Sequence, residues 1–543
     1  MKNTFKKVLV GLFLIAQSIS SYSQTLSSEV LDKVDSIFTS HYNAKSPGGA
    51  FAIINKGEVV FKKTLGLANI EHQVPISDTT VFNIASNSKQ LTTLLALILE
   101  EEGKLSFQDD IRIHLPELGS LPFNITIKQL TNHTHGLPNV DELAQLKGID
   151  RITHDEVLNM LFNIKQFNFI PGDDYQYNNT GYVLLSEIIV RAGKKAFNEQ
   201  LKEKIFDEFG MSDSQAVGDY NQVTYNKAYS YSSINRGFKN NPVKISTMGA
   251  SGVYTSLDDL IKWAQNFTKT DNTYHNYFEK MQKPTVLSSG KMVEYGMGLQ
   301  FESYKGIDIV FHGGGTESYR SYVLHAPKYG LSLVFLSNAG GFSGLDVIYT
   351  SLETILNDAL EVDSKRIFET NHLPTYEGTY ELHPGAYYSI LTEKDSLFFQ
   401  AYGTNEKMYL PRIGENTFDF PGLPYSKLIF YKNEFHLRFA DFNYPAKRVT
   451  PPIEKELDID LSEYVGSYKN TEHNSTYELV LIDNQLVVKH HAHGNIKLDI
   501  YSATSFYAIN SFFGKIDFLF DKQSKVKGFN LSRQNITNLL FVK

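Results

Sequence analysis

The chain has 543 residues, too many for one ordinary core, and it contains no cysteine, which excludes disulfides, a thiol nucleophile, Cys-based metal sites and a cysteine-linked lipid. With 42% hydrophobic and 21% charged residues it carries enough apolar surface to fold into several domains. The formal net charge of -8, with no basic cluster in the body of the chain, argues against a nucleic-acid partner.

Residues 1–23 run from Lys2, Lys6 and Lys7 through an apolar stretch, Val8 to about Ile19, and end in small polar residues. That order reads as a secretory signal peptide, with Ser21 and Ser23 offering a small-residue cleavage site. The apolar part is too short for an ordinary membrane anchor, and no other run approaches spanning length. The expected location is therefore periplasmic or secreted, with no transmembrane anchor after signal cleavage.

Next in the chain, "GGAFAIINKGEVVFKKTLG" holds two β-rich runs around Lys56-Gly57, a turn pair suited to a hairpin. In "VFNIASNSKQLTTLLALILEEEGKL", Ser86 and Lys89 stand three apart at the head of an apolar run. On a helix such residues share a face, with Cβ atoms ~5–6 Å apart, while Leu91, Leu94, Leu95 and Ile98 are expected to bury the helix. A serine at a helix N-terminus gains from backbone N–H groups and the dipole when negative charge develops nearby. The same Ser-x-x-Lys spacing at Ser288 and Ser524 falls in turn-like stretches with no apolar helix behind it.

Helical periodicity fills much of residues 86–270 and includes "IPGDDYQYNNTGYVLLSEII", where Tyr177 and Asn179 lie between a Pro171-Gly172 turn and an apolar run. Then "GIDIVFHGGGTESYRSYVLHAPKYGLSLVFLSNAG" shows three strands separated by Gly-rich turns, with His312, Gly313, Gly314 and Gly315 in the first. The pattern is a sheet with a large helical insertion. From about Leu373 onward only short strands and turns follow, and they repeat. Leu373, Tyr376, Gly378 and Tyr380 recur 88 residues later as Leu461, Tyr464, Gly466 and Tyr468. Two small all-β, barrel-like repeats are expected at 369–452 and 453–543, joined through "TPPIEKELDID".

Three of these segments, in this order, resemble the motifs of serine β-lactamase and penicillin-binding-protein relatives, class C-like branch. "FNIASNSKQLTT" resembles the nucleophile segment, Tyr177-Gln-Asn179 the Tyr-x-Asn element, and His312-Gly-Gly the Lys/His-x-Gly strand. "LTNHTHGLP" resembles the family's Thr-x-Ser-Gly-Leu-Pro segment, and "YGMGLQF" its Tyr-Gly-x-Gly strand entry. The resemblance covers roughly residues 40–350. It implies that residues 24–368 form an α/β (α+β) β-lactamase-like serine hydrolase domain, an antiparallel sheet with a large helical subdomain. The twin β tail resembles, more loosely, the paired barrels of the D-aminopeptidase branch.

The resemblance implies Ser86 as nucleophile, with Lys89 and Tyr177 as the groups that take its proton. Both ordinarily titrate about three units above neutral pH, so their protons are expected to move as a coupled pair, and either can be the base. By the same resemblance Tyr177 protonates the leaving group, Asn179 bonds Lys89 and the substrate amide, and the N–H groups of Ser86 and Gly315 hold the oxyanion. Glycines 313–315, Gly314 among them, let a substrate backbone approach the strand edge. His312 replaces the lysine typical of true β-lactamases, so a penicillin carboxylate would meet a weaker, pH-dependent partner.

The implied reaction is cleavage of an amide or ester through an acyl-serine intermediate, on short peptides containing D-amino acids. A small-molecule carboxylesterase and a catalytically weak wall-peptide binding protein are the rivals. No cofactor and no metal are called for. His490, His491 and His493 read as a surface cluster rather than a metal site, His133 and His135 as structural loop residues and Arg320 as solvated or structural in preference to binding a substrate carboxylate, while Ser318 replaces a glycine common in relatives.

Overall fold

The computed structural model describes residues 26–269, 271–341, 343–360, 372–402, 404–423, 425–439, 442–450, 459–508 and 513–543. The signal-peptide expectation, the 368/369 and 452/453 boundaries and most of the expected linker lie outside the described residues.

The first helix, α1 (Ser28–His41), starts where Ser27 Oγ accepts from Val30 N, and it buries Val34 and Phe38. Strand β1 (Gly49–Asn55) turns through Lys56 and Gly57, both with positive φ, into β2 (Glu58–Leu65), the hairpin expected from the sequence. The sheet is completed at the other end of the domain by β3 (Gln300–Tyr304), β4 (Ile307–Thr316), β5 (Tyr319–Ala326) and β6 (Leu331–Ser337). Its order is β3-β4-β5-β6-β1-β2, antiparallel throughout.

Strand β1 is buried on both faces, and its alternation shows what covers each. Phe51 and Ile53 pack with α1 and the C-terminal helix Ser343–Ile355, whereas Ala50, Ala52 and Ile54 join the core of the helical region. Within that region lies α2 (Ser88–Glu101). It is buried from Ser88 through Leu97 and again at Leu99, so it is a central helix enclosed on all sides, while Ile98 is only half-buried. The one-sided apolar face expected from Leu91, Leu94, Leu95 and Ile98 understates its enclosure.

Both β repeats form eight-stranded units. The first is a sheet over Gly378–Val449 whose ends are linked by a bridge between Arg412 and Phe418. The second, Gly466–Val542, is a closed barrel. The sequence repeat has a structural counterpart: each unit opens with a 3-10 turn, Leu373–Tyr376 or Leu461–Tyr464. In each, a core tyrosine hydroxyl donates back to that turn, Tyr380 to Tyr376 O at 2.8 Å and Tyr468 to Tyr464 O at 2.7 Å. Burial of these rings requires a partner for the hydroxyl, which explains why tyrosine rather than phenylalanine recurs.

The second barrel docks on a short helix of the N-terminal domain, Val140–Leu146. The carbonyl of Leu146 accepts from Tyr477 Oη at 2.7 Å and lies 2.9 Å from His490 Nε2. His490 is thus buried at an interface rather than part of a surface cluster, because an unpaired helix-end carbonyl is covered by the barrel. Arg533 pairs with Glu142 at 2.9 Å, both largely dehydrated. Removing one partner of such a pair strands the other charge, at a cost of roughly 3–5 kcal/mol. Arg533→Met is expected to lower unfolding stability in urea by that order, and the double change to Arg533→Met with Glu142→Leu to recover most of it. Equal stability of Arg533→Met and wild type would show that the pair does not hold the barrel.

Candidate active site

Ser86 lies in a single 3-10 turn, Ala85–Asn87, just ahead of α2 rather than within it, and Lys89 is the second residue of the helix. The preceding Ala85 has φ +47°, a conformation that L residues adopt at a cost of order ~1 kcal/mol. It is held there by Asn83 Oδ1, which accepts from Ala85 N at 2.8 Å. The turn is fastened to the sheet as well: Asn87 Nδ2 donates to Ser321 Oγ at 2.8 Å, and Ser321 Oγ donates to Ile84 O at 2.7 Å. Gly314 has no alternative to glycine, since a Cβ there would stand 2.3 Å from Ile84 O and from Ser321 Oγ.

Lys89 is completely buried, and its Nζ is surrounded by Asn179 Oδ1 at 2.8 Å, Ala250 O at 2.9 Å and Ser86 Oγ at 3.0 Å. Asn179 is the N-cap residue of the helix Thr180–Gly193, and its other amide atom donates to Asp141. That second bond fixes Oδ1 as the atom facing Lys89. Asn179 Oδ1 and Ala250 O can only accept, and Nζ also meets the Ser86 hydroxyl.

Tyr177 closes the group from the opposite side, with Lys89 Nζ 5.0 Å from its ring centroid. The strand β4 approaches from a third direction. Its pairing with β3 ends at Phe311, while pairing with β5 continues to Thr316, so His312 to Thr316 present one strand edge that no described strand occupies. Gly315 lies on that edge beside the nucleophile turn. The structure thus brings Ser86, Lys89, Tyr177, Asn179, His312, Gly314 and Gly315 into one cleft.

Three features differ from the sequence reading or extend it. His312 is fully buried, with Nδ1 2.6 Å from Gly313 O and Nε2 3.2 Å from Tyr295 Oη. Burial and the Lys89 charge push it down to about 3, so it is a neutral group at ordinary pH, not the pH-dependent one expected. Ser318 is buried and pinned by Ser230, Ser232 and Asn241, and Arg320 donates to the carbonyls of Glu317 and Tyr319, a structural role. Asp141 was not foreseen. Its place in "PNVDELAQL", at the start of an apolar run, reads as an ordinary acidic helix start, yet it sits on Asn179, and burial raises its pKa. Among the described residues no group of three or more His, Asp or Glu side chains is placed to hold a metal ion.

A family model described as Beta-lactamase matches residues 34–350. The D-aminopeptidase of Gluconobacter oxydans is 28% identical over 337 residues, 62% of this chain and 63% of that protein. The D-aminopeptidase of Brucella anthropi is 28% identical over 305 residues, 55% of this chain and 57% of that protein. The chain thus spans about three fifths of the length of the curated relatives it matches. Among solved structures, the octameric penicillin-binding protein homologue from Pyrococcus abyssi superposes with a TM-score of 0.53 at 22% identity, over 77% of this chain and 99% of that one. At that identity the likeness is one of fold.

The histidines of this domain make the fold sensitive to acid. Burial drives His135, His312 and His325 down to about 3, His154 to about 4, and His133 well below its ordinary value. In the unfolded chain each takes up a proton near pH 6.5. Their folded pKa values are depressed, so the stability they contribute is complete above about pH 6.5 and is lost as pH falls toward 4 and 3. Each adds a slope approaching ~1.4 kcal/mol per pH unit in that window. The urea midpoint is expected to be level above pH 7.5 and to fall steeply below 6.5. His325→Gln, remote from the cleft, should flatten that slope by about one proton; a midpoint equal at pH 7 and pH 5 would refute the neutral, buried state.

Proposed function

The chain belongs to the beta-lactamase family, and from that premise and the geometry of the cleft we propose that it is a serine hydrolase acting through an acyl-serine intermediate on Ser86. The observation that carries this reading is the setting of Lys89 Nζ. Once Lys89 has released a proton, Asn179 Oδ1 and Ala250 O can each take one of the two hydrogens that stay on Nζ, and the amine 3.0 Å from Ser86 Oγ can accept the hydroxyl proton as attack begins. Tyr177 shares that proton and delivers it to the leaving amine or alcohol. Backbone N–H groups of Ser86 and Gly315 stabilise the oxyanion, and water then releases the acyl group.

The substrates we favour are short peptides or amides of D-amino acids with a free amino terminus. Two features of the cleft support this. Asp141, beside Asn179, offers a carboxylate to a substrate ammonium, whereas the buried, neutral His312 offers no cation to a substrate carboxylate. The first feature suits an aminopeptidase or amidase, and the second disfavours penicillins. The D-aminopeptidase relatives support the same class. Export to the periplasm or beyond is proposed from the basic-apolar order of residues 1–23. Among the described residues no helix is long and apolar enough to cross a membrane.

The test is intact mass after treatment with a serine-reactive fluorophosphonate. One adduct is expected on the wild type and none on Ser86→Ala; an unlabelled, folded wild type favours the binding-protein alternative. On D-amino-acid amides, N-acetylation of the substrate is expected to lower kcat/KM by about tenfold or more, the worth of one charge-assisted hydrogen bond. Equal rates with and without the free amine, together with faster turnover of simple esters, would favour the carboxylesterase.

A further inference from the structure

Behind the cleft, Tyr295 is 1% exposed, and its hydroxyl lies between two histidines that come from distant parts of the chain. It is 3.1 Å from His133 Nε2 and 3.2 Å from His312 Nε2. The direction of every proton in this row follows from its ends. Gly313 O can only accept, so the 2.6 Å contact places a hydrogen on His312 Nδ1. In a neutral ring Nε2 then carries the lone pair, and Tyr295 must donate to it. The tyrosine oxygen is left to accept from His133 Nε2–H, and His133 Nδ1 in turn accepts from Asn178 N at 3.5 Å. A proton added to His133 sets Nδ1–H against Asn178 N–H, and one added to His312 removes the acceptor of Tyr295, whose hydroxyl also meets Tyr182, so the doubly neutral arrangement alone keeps the His133–Tyr295–His312 row intact.

His133 also brackets Tyr177. Its carbonyl accepts from Gln176 N at 3.0 Å and its ring nitrogen from Asn178 N, the two residues flanking Tyr177, and its ring centroid is 4.4 Å from that of Tyr177. His133 holds this place with φ +59°, a strained backbone for a residue with a Cβ. His312 occupies the first position of the open edge of β4, three residues before Gly315.

We propose that Tyr295 is a positioning residue for the reaction: its hydroxyl, donating to His312 and accepting from His133, locks the strand edge that receives the acyl group to the segment that carries Tyr177. It touches no substrate. It holds together two halves of the cleft whose Tyr177 and His312 rings lie 6.0 Å apart, centroid to centroid. The proposal rests on the acyl-serine reading of the site. The charged and titratable groups facing the row are Lys89, His135, Tyr175, Tyr177 and Tyr182, with the Arg438–Glu294 pair next to Tyr175 and Tyr295 on the side of the first β repeat.

The test compares Tyr295→Phe, His133→Gln and His133→Leu with wild type in the full-length protein, with Ser86 titrated by fluorophosphonate in each. Tyr295→Phe is expected to label at Ser86 yet lose roughly ten- to hundredfold in kcat with KM within about twofold, as misplacement of catalytic groups does. Glutamine at 133 can donate at one end and accept at the other, so His133→Gln should retain at least about tenfold more kcat than His133→Leu, which can do neither. Nitrogen-15 spectra of the wild-type histidines should show His312 protonated at Nδ1 and His133 at Nε2. A Tyr295→Phe enzyme with kcat within about twofold of wild type, or the opposite tautomers, would overturn the proposal. Should Tyr295→Phe fail to fold, the His133 pair and the tautomers decide. Absence of a Ser86 adduct on wild type would instead remove the hydrolytic reading beneath it.

Discussion

The cleft depends on one enclosed amine. Lys89 Nζ is where the central helix, the N-terminus of the helix that follows Asn179 and the carbonyl of Ala250 converge, and none of the three is local to another in sequence. A buried lysine without three such partners would pay several kcal/mol for lost hydration. Here the surrounding dipoles replace water, and the same arrangement sets Nζ 3.0 Å from Ser86 Oγ. The apolar enclosure of α2 keeps bulk water away from this amine.

The β repeats reach this centre through the loop before Tyr177, and the first repeat is also tied to the main sheet, where its Lys427 pairs with Glu302 of β3. Asn168 Nδ2 donates to Asn535 O at 2.9 Å, and Gln176 Nε2 donates to Gln534 O at 3.0 Å, so a turn of the second barrel is pinned to both ends of that loop. From the other side Arg438 of the first repeat is buried next to Tyr175 and pairs with Glu294. The short helix Val140–Leu146 faces both ways. Its Asp141 holds Asn179, while the adjacent Glu142 holds Arg533 of the barrel. Neighbouring side chains on one helical turn thus connect an accessory domain to the residue that orients the lysine.

Much of this was legible from residue order. The Ser86, Lys89, Tyr177, Asn179 and His312 segments each carried a local signature, because a nucleophile turn, a helix start and a glycine edge all constrain nearby residues. The β repeats were legible because Tyr380 and Tyr468 must satisfy their own hydroxyls within four residues. What escaped were interactions between segments far apart in the chain. Asp141 looked like a helix-start acid, His490 like a surface imidazole, and Tyr295 and His133 like landmarks without a task. Each acquires its meaning only from a partner more than thirty residues away. The state of His312 was misjudged for the same reason, since burial, which sets it, is a property of the assembled fold.

The attachment of the barrel turn to the Tyr177 loop has an evolutionary side. Gln534 and Asn535 form the hairpin connection between strands Val526–Arg533 and Ile536–Val542, the kind of place where insertions and replacements are tolerated because the strands on either side carry the stability. Yet this turn rests against the backbone leading to Tyr177. Drift in an accessory module can therefore shift the backbone around Tyr177 while Ser86, Lys89 and Asn179 stay unchanged. An accessory turn is in this way a route by which the cleft can change shape without a change in any of the motifs that line it.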